Sequence, residues 1–142
     1  MPTLPWATPA AGDPDHVPDA LVMASRFVLK RWRDVPRFLI AALQIRRQML
    51  RSAGVVGVSL IAQPQRKTFY TLSAWRDRRA LDLAVANQPH AATMATFKTK
   101  MAKSSFRFWH LTDGLRPDWP DAFRRLDEAD SVRAVDDDAR TL

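Results

Sequence analysis

The chain has no cysteine, only four glycines among its 142 residues, and no long apolar run. Without cysteine it forms neither disulfides nor thiolate metal sites, and it has no cysteine nucleophile. No apolar run approaches the roughly 20 residues that a membrane-spanning helix needs, and residues 1–20 contain no lysine or arginine for a signal peptide. We therefore expect a cytoplasmic protein without a membrane partner, whose chemistry depends on histidine, carboxylates, hydroxyls or a cofactor.

Composition divides the chain into three segments. Residues 1–20 contain five of the ten prolines, which predicts an arm that is flexible or follows the surface of the domain. Residues 21–127 carry most of the apolar side chains, and a hydrophobic fraction of 46% over the whole chain is enough for one domain with a core. Residues 128–142 are polar and acidic, which predicts a tail.

The net charge of +7 is unevenly distributed. Residues 21–110 contain 17 basic and 3 acidic side chains, whereas both ends of the chain are acidic. This basic body has two interpretations. It is either a surface that attracts anionic ligands or the solvated face of an arginine-rich protein, and the sequence does not separate them.

Hydrophobic periodicity predicts the secondary structure. Alternation of apolar and polar residues predicts four strands, at residues 21–30, 55–63, 67–75 and 104–112. Within the second of these strands, Val56 and Val58 are assigned to one face. Helical spacing predicts helices at residues 34–53, 78–87 and 117–126 and a further helical segment that begins at residue 89, with Asp34 and Asp77 as N-caps.

The predicted order is strand, helix, strand, strand, helix, strand, followed by an extra C-terminal helix. This is the ferredoxin-like βαββαβ pattern of the α+β class, in which two helices lie on one face of a four-stranded antiparallel sheet. The other sheet face would expose large apolar side chains. A second copy that packs sheet to sheet would bury them, so we expect a homodimer.

Several segments of the sequence resemble a known family. They are residues 24–27 in the first strand, residues 71–75 in the third strand, His90, and residues 108–117 and 122–126 near the end of the domain. Together they resemble the dimeric α+β barrel superfamily, which includes the antibiotic-biosynthesis monooxygenases. The resemblance covers roughly residues 21–127, and its last segment is similar to an uncharacterised branch. It implies a dimeric α+β barrel that binds a hydrophobic or aromatic small molecule between sheet and helices.

The resemblance also implies a chemistry and a set of site residues. Such monooxygenases act without a cofactor on electron-rich aromatic substrates that form a carbanion and react with oxygen. In this chain His90 is the candidate base, and Ser25 and Ser73 are the orienting hydroxyls. The candidate substrate-binding residues are Trp75, Arg26, Met94, Phe97 and Met101. Trp75 has a second interpretation as a core aromatic at the end of its strand. Arg26 needs an anionic partner or water if its strand face is buried.

Haem binding is the alternative cofactor hypothesis. The haem-degrading branch of the superfamily has an asparagine, a tryptophan and a histidine at positions that fall on Ser25, Ala84 and Met94, and all three differ here. Haem degradation of that type is therefore not expected. His90 lies about one turn before the family's ligand and could still be an axial ligand. A protein that binds a ligand without catalysis is the third possibility.

Two other classes of site find little support in the residues. Three scattered histidines and a single glutamate, Glu128, give no metal-ligand cluster, so no metal is expected unless His90 binds haem. The RNA-recognition domain shares the predicted strand order, but its third strand carries glycines between aromatic residues. The corresponding residues 67–75 contain no glycine, so nucleic acid is not an expected partner.

Overall fold

The structure is a computed structural model and describes residues 3–7, 20–88, 90–111 and 117–128. The described strands are β1 (Thr3–Ala7), β2 (Leu21–Leu29), β3 (Val55–Gln63), β4 (Thr68–Trp75) and β5 (Met101–His110). The described helices are α1 (Val35–Leu50), α2 (Arg78–Ala86), α3 (His90–Phe97) and α4 (residues 119–128). None of these helices is both long enough and apolar enough to cross a bilayer.

All strand pairs are antiparallel, and the sheet order is β1-β3-β4-β2-β5. Strands β2 to β5 and helices α1 to α3 follow the predicted βαββαβ order, so the ferredoxin-like α+β fold is confirmed. The two helical segments predicted after the third strand are separate helices, since α2 ends at Ala86 and α3 begins at His90.

The first strand shows that residues 3–7 of the predicted arm pack against the domain. Residues 3–7 form an edge strand against β3, with Leu4 opposite Leu60 and Ala7 opposite Val58. Pro5 is tolerated there because an edge strand leaves one row of N–H groups without a strand partner. Five residues with a proline at the centre are too few to show a strand period. Residues 8–19 and the predicted tail after residue 128 lie outside the described residues.

Helices α1, α2 and α3 cover one face of the sheet. Trp75 is fully buried in a cluster with Met49 and Leu81, near one end of the strands. Near the other end Phe38 of α1 packs against Phe69 and Phe97, with ring centroids 4.7 and 5.1 Å away. These two apolar clusters hold the helices against the sheet at its two ends. The middle of this sheet face lies between the two clusters.

Helix α4 covers the opposite sheet face. Ala122 and Leu126 are fully buried against a sheet surface that includes Val22, Ala24, Leu72 and Trp109. Tyr70 of β4 contacts Phe123, with ring centroids 4.9 Å apart. The face that was expected to be bare is therefore covered in part by the chain itself. A homodimer stays a prediction, but it is no longer required to bury this part of the sheet.

A β-bulge in β3 corrects the assignment of Val56 and Val58 to one face. The register shifts between Val55 and Gly57, which places Val58 in the helix-side core and Val56 in the core under α4. Gly57 is required where β3 meets the first strand, because a Cβ at this position would overlap the indole of Trp6. The alternation rule failed here because a bulge adds one residue to the period.

The two predicted N-caps have different outcomes. Asp77 caps α2, since its carboxylate accepts a hydrogen bond from the Ala80 N–H at 2.8 Å. The prediction for Asp34 is wrong, because its side chain makes no cap hydrogen bond. A short 3-10 turn, Trp32–Asp34, precedes α1 and gives Asp34 a helical backbone, and its carboxylate lies 3.9 Å from Lys100 Nζ. α1 also ends at Leu50, four residues before Gly54.

Candidate active site

A cavity of about 450 Å3 lies between the sheet and helices α1, α2 and α3. Its walls are mainly apolar, with side chains that include Met23, Phe27, Phe38, Ile45, Met49, Leu81, Val85, Met94, Phe106 and Phe108. Polar groups enter this lining from β2, from β4 and from the three helices. A few polar groups in an otherwise apolar concavity are typical of sites that bind small organic molecules.

The hydroxyls of Ser25, Thr71 and Ser73 lie along the sheet side of the cavity. Ser25 of β2 and Thr71 of β4 are directly opposite in the strand register, so their hydroxyls form a hydrogen bond with each other. Ser73 is two residues further along β4 and therefore faces the same side. Its Oγ accepts a hydrogen bond from Trp75 Nε1 at 2.9 Å. Because the oxygen of Ser73 is the acceptor in that bond, its own hydrogen remains available for a ligand.

Gln48 of α1 fixes the position of His90, the first residue of α3. The His90 backbone N–H donates to Gln48 Oε1 at 3.1 Å, and Gln48 Nε2 donates to the Ala84 carbonyl of α2 at 2.8 Å. One amide side chain thus links all three helices beside the cavity. The His90 side chain is 9% exposed, and its Nδ1 is buried without a hydrogen-bond partner among the described residues.

Burial lowers the pKa of His90 below its ordinary value, and the nearby Val85 backbone opposes this shift only in part. A low-polarity environment disfavours the charged imidazolium, which explains the direction. His90 is therefore neutral at pH 7. A neutral imidazole with an unpartnered nitrogen in an apolar cavity can accept a proton or bind a metal.

Four of the predicted site residues, Ser25, Ser73, His90 and Met94, line the cavity. Their functional roles stay predictions. Met94 lies one helical turn after His90 on the same face of α3, which explains why both reach the lining.

The remaining predicted site residues lie outside the lining. Trp75 is fully buried behind Ser73, Phe97 packs behind Phe38, and Met101 packs at the start of β5. Their large side chains support the walls instead of forming them. Arg26 does not line this cavity, because even-numbered residues of β2 face α4.

Several lining residues were not predicted from the sequence. Thr71 could have been found from the strand register, because it must face the same way as Ser73. Arg46 follows Ile45 and lies four residues after Ala42, so helical spacing places it beside the cavity. Phe106 and Phe108 alternate along β5 and are 42% and 40% exposed at the cavity margin.

No group of three or more histidine, cysteine, aspartate or glutamate side chains that could hold a metal ion occurs among the described residues. Within that part of the chain His90 is the lining residue with a free ligand nitrogen. The cavity therefore offers a single imidazole and not a chelating set.

Solved structures with the same fold include an oxygenase. SnoaB, a cofactor-independent oxygenase from Streptomyces nogalater, is 16% identical, and the match covers 72% of this chain and 98% of SnoaB with a TM-score of 0.55. An antibiotic biosynthesis monooxygenase is 13% identical over 68% of this chain and 99% of its own, with a TM-score of 0.55. The chain has the fold of these monooxygenases.

A third similar structure is PA3566 from Pseudomonas aeruginosa, which is 12% identical over 68% of this chain and 97% of its own, with a TM-score of 0.60. A scan against protein-family models and a search of curated proteins both found no match. The predicted likeness to antibiotic-biosynthesis monooxygenases is confirmed at the level of the fold. At these identities the likeness carries no activity with it.

Proposed function

We propose that this protein binds a hydrophobic or aromatic small molecule in the cavity and oxygenates it without a cofactor, with His90 as the base. The observation that carries the proposal is the buried, neutral imidazole whose Nδ1 has no partner among the described residues. The cavity of about 450 Å3 is within the range of small-molecule sites, roughly 300–1,000 Å3. A cofactor-independent oxygenase with the same fold supports this choice of chemistry.

The proposed reaction begins with proton transfer to His90. The substrate has an acidic C–H group that is conjugated with a carbonyl, directly or through an aromatic ring, and His90 accepts that proton to leave a carbanion. The carbanion transfers electrons to molecular oxygen and forms a carbon–oxygen bond. For a CH2 group, one oxygen atom enters the product as a carbonyl, and the other leaves as water with the two hydrogens. The atoms and electrons balance without a metal or an external reductant.

The hydroxyls beside His90 orient the substrate. Ser73 accepts from Trp75 and can donate its own hydrogen to a substrate carbonyl, where negative charge increases as the proton leaves. The hydrogen-bonded pair of Ser25 and Thr71 extends this polar strip along the sheet. The apolar wall excludes water, which would otherwise solvate the carbanion and protonate it again.

The test uses anthrone, a polycyclic ketone with an acidic CH2 group, whose oxidation by one O2 gives anthraquinone and water. Oxygen uptake and anthraquinone formation are measured together in the presence of a chelator, against the uncatalysed rate. We expect catalysis by the unmodified protein and its loss in His90→Gln. His110→Gln is the matched control, because His110 is exposed at the end of β5.

Two outcomes of this test separate catalysis from binding. Equal rates for the unmodified protein and His90→Gln would remove His90 as the base. Binding of anthrone, followed by tryptophan fluorescence, without any acceleration of oxygen uptake would favour a non-catalytic ligand-binding protein. A cytoplasmic location and a homodimeric state also remain predictions of this proposal.

Haem binding through His90 is a second candidate, favoured by the same unpartnered Nδ1 in an apolar cavity. Haem needs one neutral imidazole as an axial ligand, and His90 fits that requirement. The visible spectrum of the purified protein with added haemin is the test. A Soret band that shifts or disappears in His90→Ala supports haem binding, whereas a spectrum equal to that of free haemin rejects it.

A further inference from the structure

Arg46 is the second polar group of the cavity without a partner in the described part of the chain. It lies on α1 between Ile45 and the turn that carries Met49, and it lines the cavity with both. The residue is half-buried, and its Nε atom is buried without a hydrogen-bond acceptor among the described residues. A buried donor of a charged group that lacks an acceptor is unfavourable, so a ligand that supplies one gains affinity.

The other charged groups of the lining compensate each other. Arg78 Nε lies 3.0 Å from Asp82 Oδ1, one helical turn away on α2. The Arg78 guanidinium also lies over the ring of Phe108, 4.7 Å from its centroid. Arg46 has no such carboxylate among the described lining residues, so the cavity carries one positive charge that its own side chains do not neutralise.

We propose that the ligand of this cavity is an acid, an apolar aromatic molecule with a carboxylate or an acidic enol, and that Arg46 binds its anionic group. This inference rests on the proposed small-molecule function and names the substrate class. A planar guanidinium offers paired N–H donors that match a carboxylate or a hydroxy-ketone. Its fixed charge also stabilises the negative charge that forms when His90 removes a proton.

The experiment compares two probes with the same ring, 2-naphthoate and 2-naphthamide. The two have nearly the same size and shape, but only the first is charged at pH 7. Their dissociation constants are measured by calorimetry for the unmodified protein and for Arg46→Met and Arg46→Gln. We expect the unmodified protein to bind naphthoate about 10-fold or more tightly than naphthamide, because hydrogen bonds to charged groups have about this effect. Both variants should lose that preference and keep their affinity for naphthamide within about three-fold.

Exposed basic side chains could also bind the naphthoate anion, so two further variants test binding at the surface. Arg47→Met removes an exposed charge next to Arg46 on the same helix. Arg37→Met removes a charge from the exposed basic cleft that Lys30, Arg31, Arg33 and Lys100 also line. Neither change should alter the preference for naphthoate. A circular dichroism melt confirms that each variant is folded.

Three results would overturn the inference, and they differ in what else they reject. If the unmodified protein and Arg46→Met both bind the two probes with equal affinity, the ligand is not an acid, but the small-molecule function is retained. Loss of naphthoate binding in Arg37→Met but not in Arg46→Met places the anion in the surface cleft. Failure of the unmodified protein to bind either probe rejects the small-molecule function as well.

Discussion

The guanidinium of Arg26 lies 2.7 Å from the carboxylate of Asp127 and joins β2 to α4 on the sheet face opposite the cavity. The Arg26 side chain is 14% exposed, and its guanidinium also lies 5.3 Å from the ring centroid of Tyr70. The sequence required an anionic partner for this arginine if its face was buried. Helix α4 provides both the carboxylate and the burial, so the chain itself satisfies a requirement that had suggested a ligand.

The attachment of α4 depends on Leu126, which is fully buried against the sheet. We expect Leu126→Ala to lower the free energy of unfolding by about 2–4 kcal/mol, because it removes apolar contacts and leaves a cavity. Leu43→Ala is the matched control, since Leu43 is 43% exposed on α1, and its effect should stay within about 0.5 kcal/mol. Denaturant unfolding measures both. Equal losses would show that α4 does not pack as described.

The close approach of Trp6 to Gly57 predicts a strongly coupled pair. Gly57→Ala should lower the free energy of unfolding by about 1–3 kcal/mol, because the added methyl group overlaps the indole. In a Trp6→Ala background the same change should be nearly neutral, since the overlapping ring is gone. A double-mutant cycle measured by denaturant unfolding isolates the coupling. Additive effects would mean that β1 does not pair with β3 in solution.

The hydrogen bond from Trp75 to Ser73 predicts that loss of the Ser73 hydroxyl destabilises the protein only when the Trp75 indole N–H is present. Ser73→Ala leaves the fully buried indole N–H without this acceptor, which should lower the free energy of unfolding by about 1–3 kcal/mol. In a Trp75→Phe background there is no N–H to satisfy, and the serine change should cost much less. Urea unfolding of the four proteins tests this. An equal cost in both backgrounds would contradict the hydrogen bond.

The sequence predicted the parts of the fold that periodicity controls. The odd-numbered residues of β2 and β4 face the helices, which is why Ser25 and Ser73 line the same cavity as His90, whereas Trp75, expected to join them, does not. Tertiary context decided the rest. The bulge before Gly57 has no signature in the hydrophobic pattern. The short edge strand at residues 3–7 exists because β3 offers it a partner, and its own residues carry no strand period.

The sequence does not show which of two neighbouring side chains lines the cavity and which lies behind it in the core. Trp75 and Phe97 were candidate pocket walls because of the face they were expected to share with His90, and Trp75 was also interpreted as a core aromatic. Such residues occupy the core more often than a cavity surface, and here Ser73 and Phe38 lie in front of them. Arg46 was not predicted as a site residue, because the sequence does not distinguish it from the other 16 arginines. Its burial beside the cavity depends on the tertiary structure.

A homodimer remains a prediction, and the position of α4 limits which surface a second copy can cover. We expect the purified protein to have about twice the 16.1 kDa mass of one chain. Because α4 already covers part of the face that was expected to be bare, the candidates for burial by the second copy are now Phe106 and Phe108, which are exposed on the helix side of β5 at the cavity margin. Light scattering after size exclusion measures the mass. Phe106→Glu should reduce the dimer, whereas Leu83→Glu, at an exposed position on α2, should not. A single-chain mass at all concentrations up to the millimolar range would reject the homodimer.

His90 also predicts how stability depends on pH. Its folded-state pKa is lowered by burial, so the unfolded chain binds the proton more strongly. Stability therefore rises with pH where the unfolded state holds more protons, and it falls as the pH is lowered from 7 through the ordinary histidine value of about 6.5. The slope from this one group cannot exceed about 1.4 kcal/mol per pH unit, and it ends below the folded-state pKa.

The variant His90→Gln should remove this part of the pH dependence, because glutamine does not titrate. Free energies of unfolding are measured between pH 7.5 and 5, above the range in which most carboxylates bind protons. The difference between the unmodified protein and His90→Gln should shrink as the pH falls, since protonation of the unfolded chain penalises only the protein that retains the buried imidazole. The control His110→Gln should keep the full slope, because that side chain is exposed. A parallel decline in all three proteins would show that His90 is not buried in its neutral form, and the assignment of this residue as the base would lose its physical support.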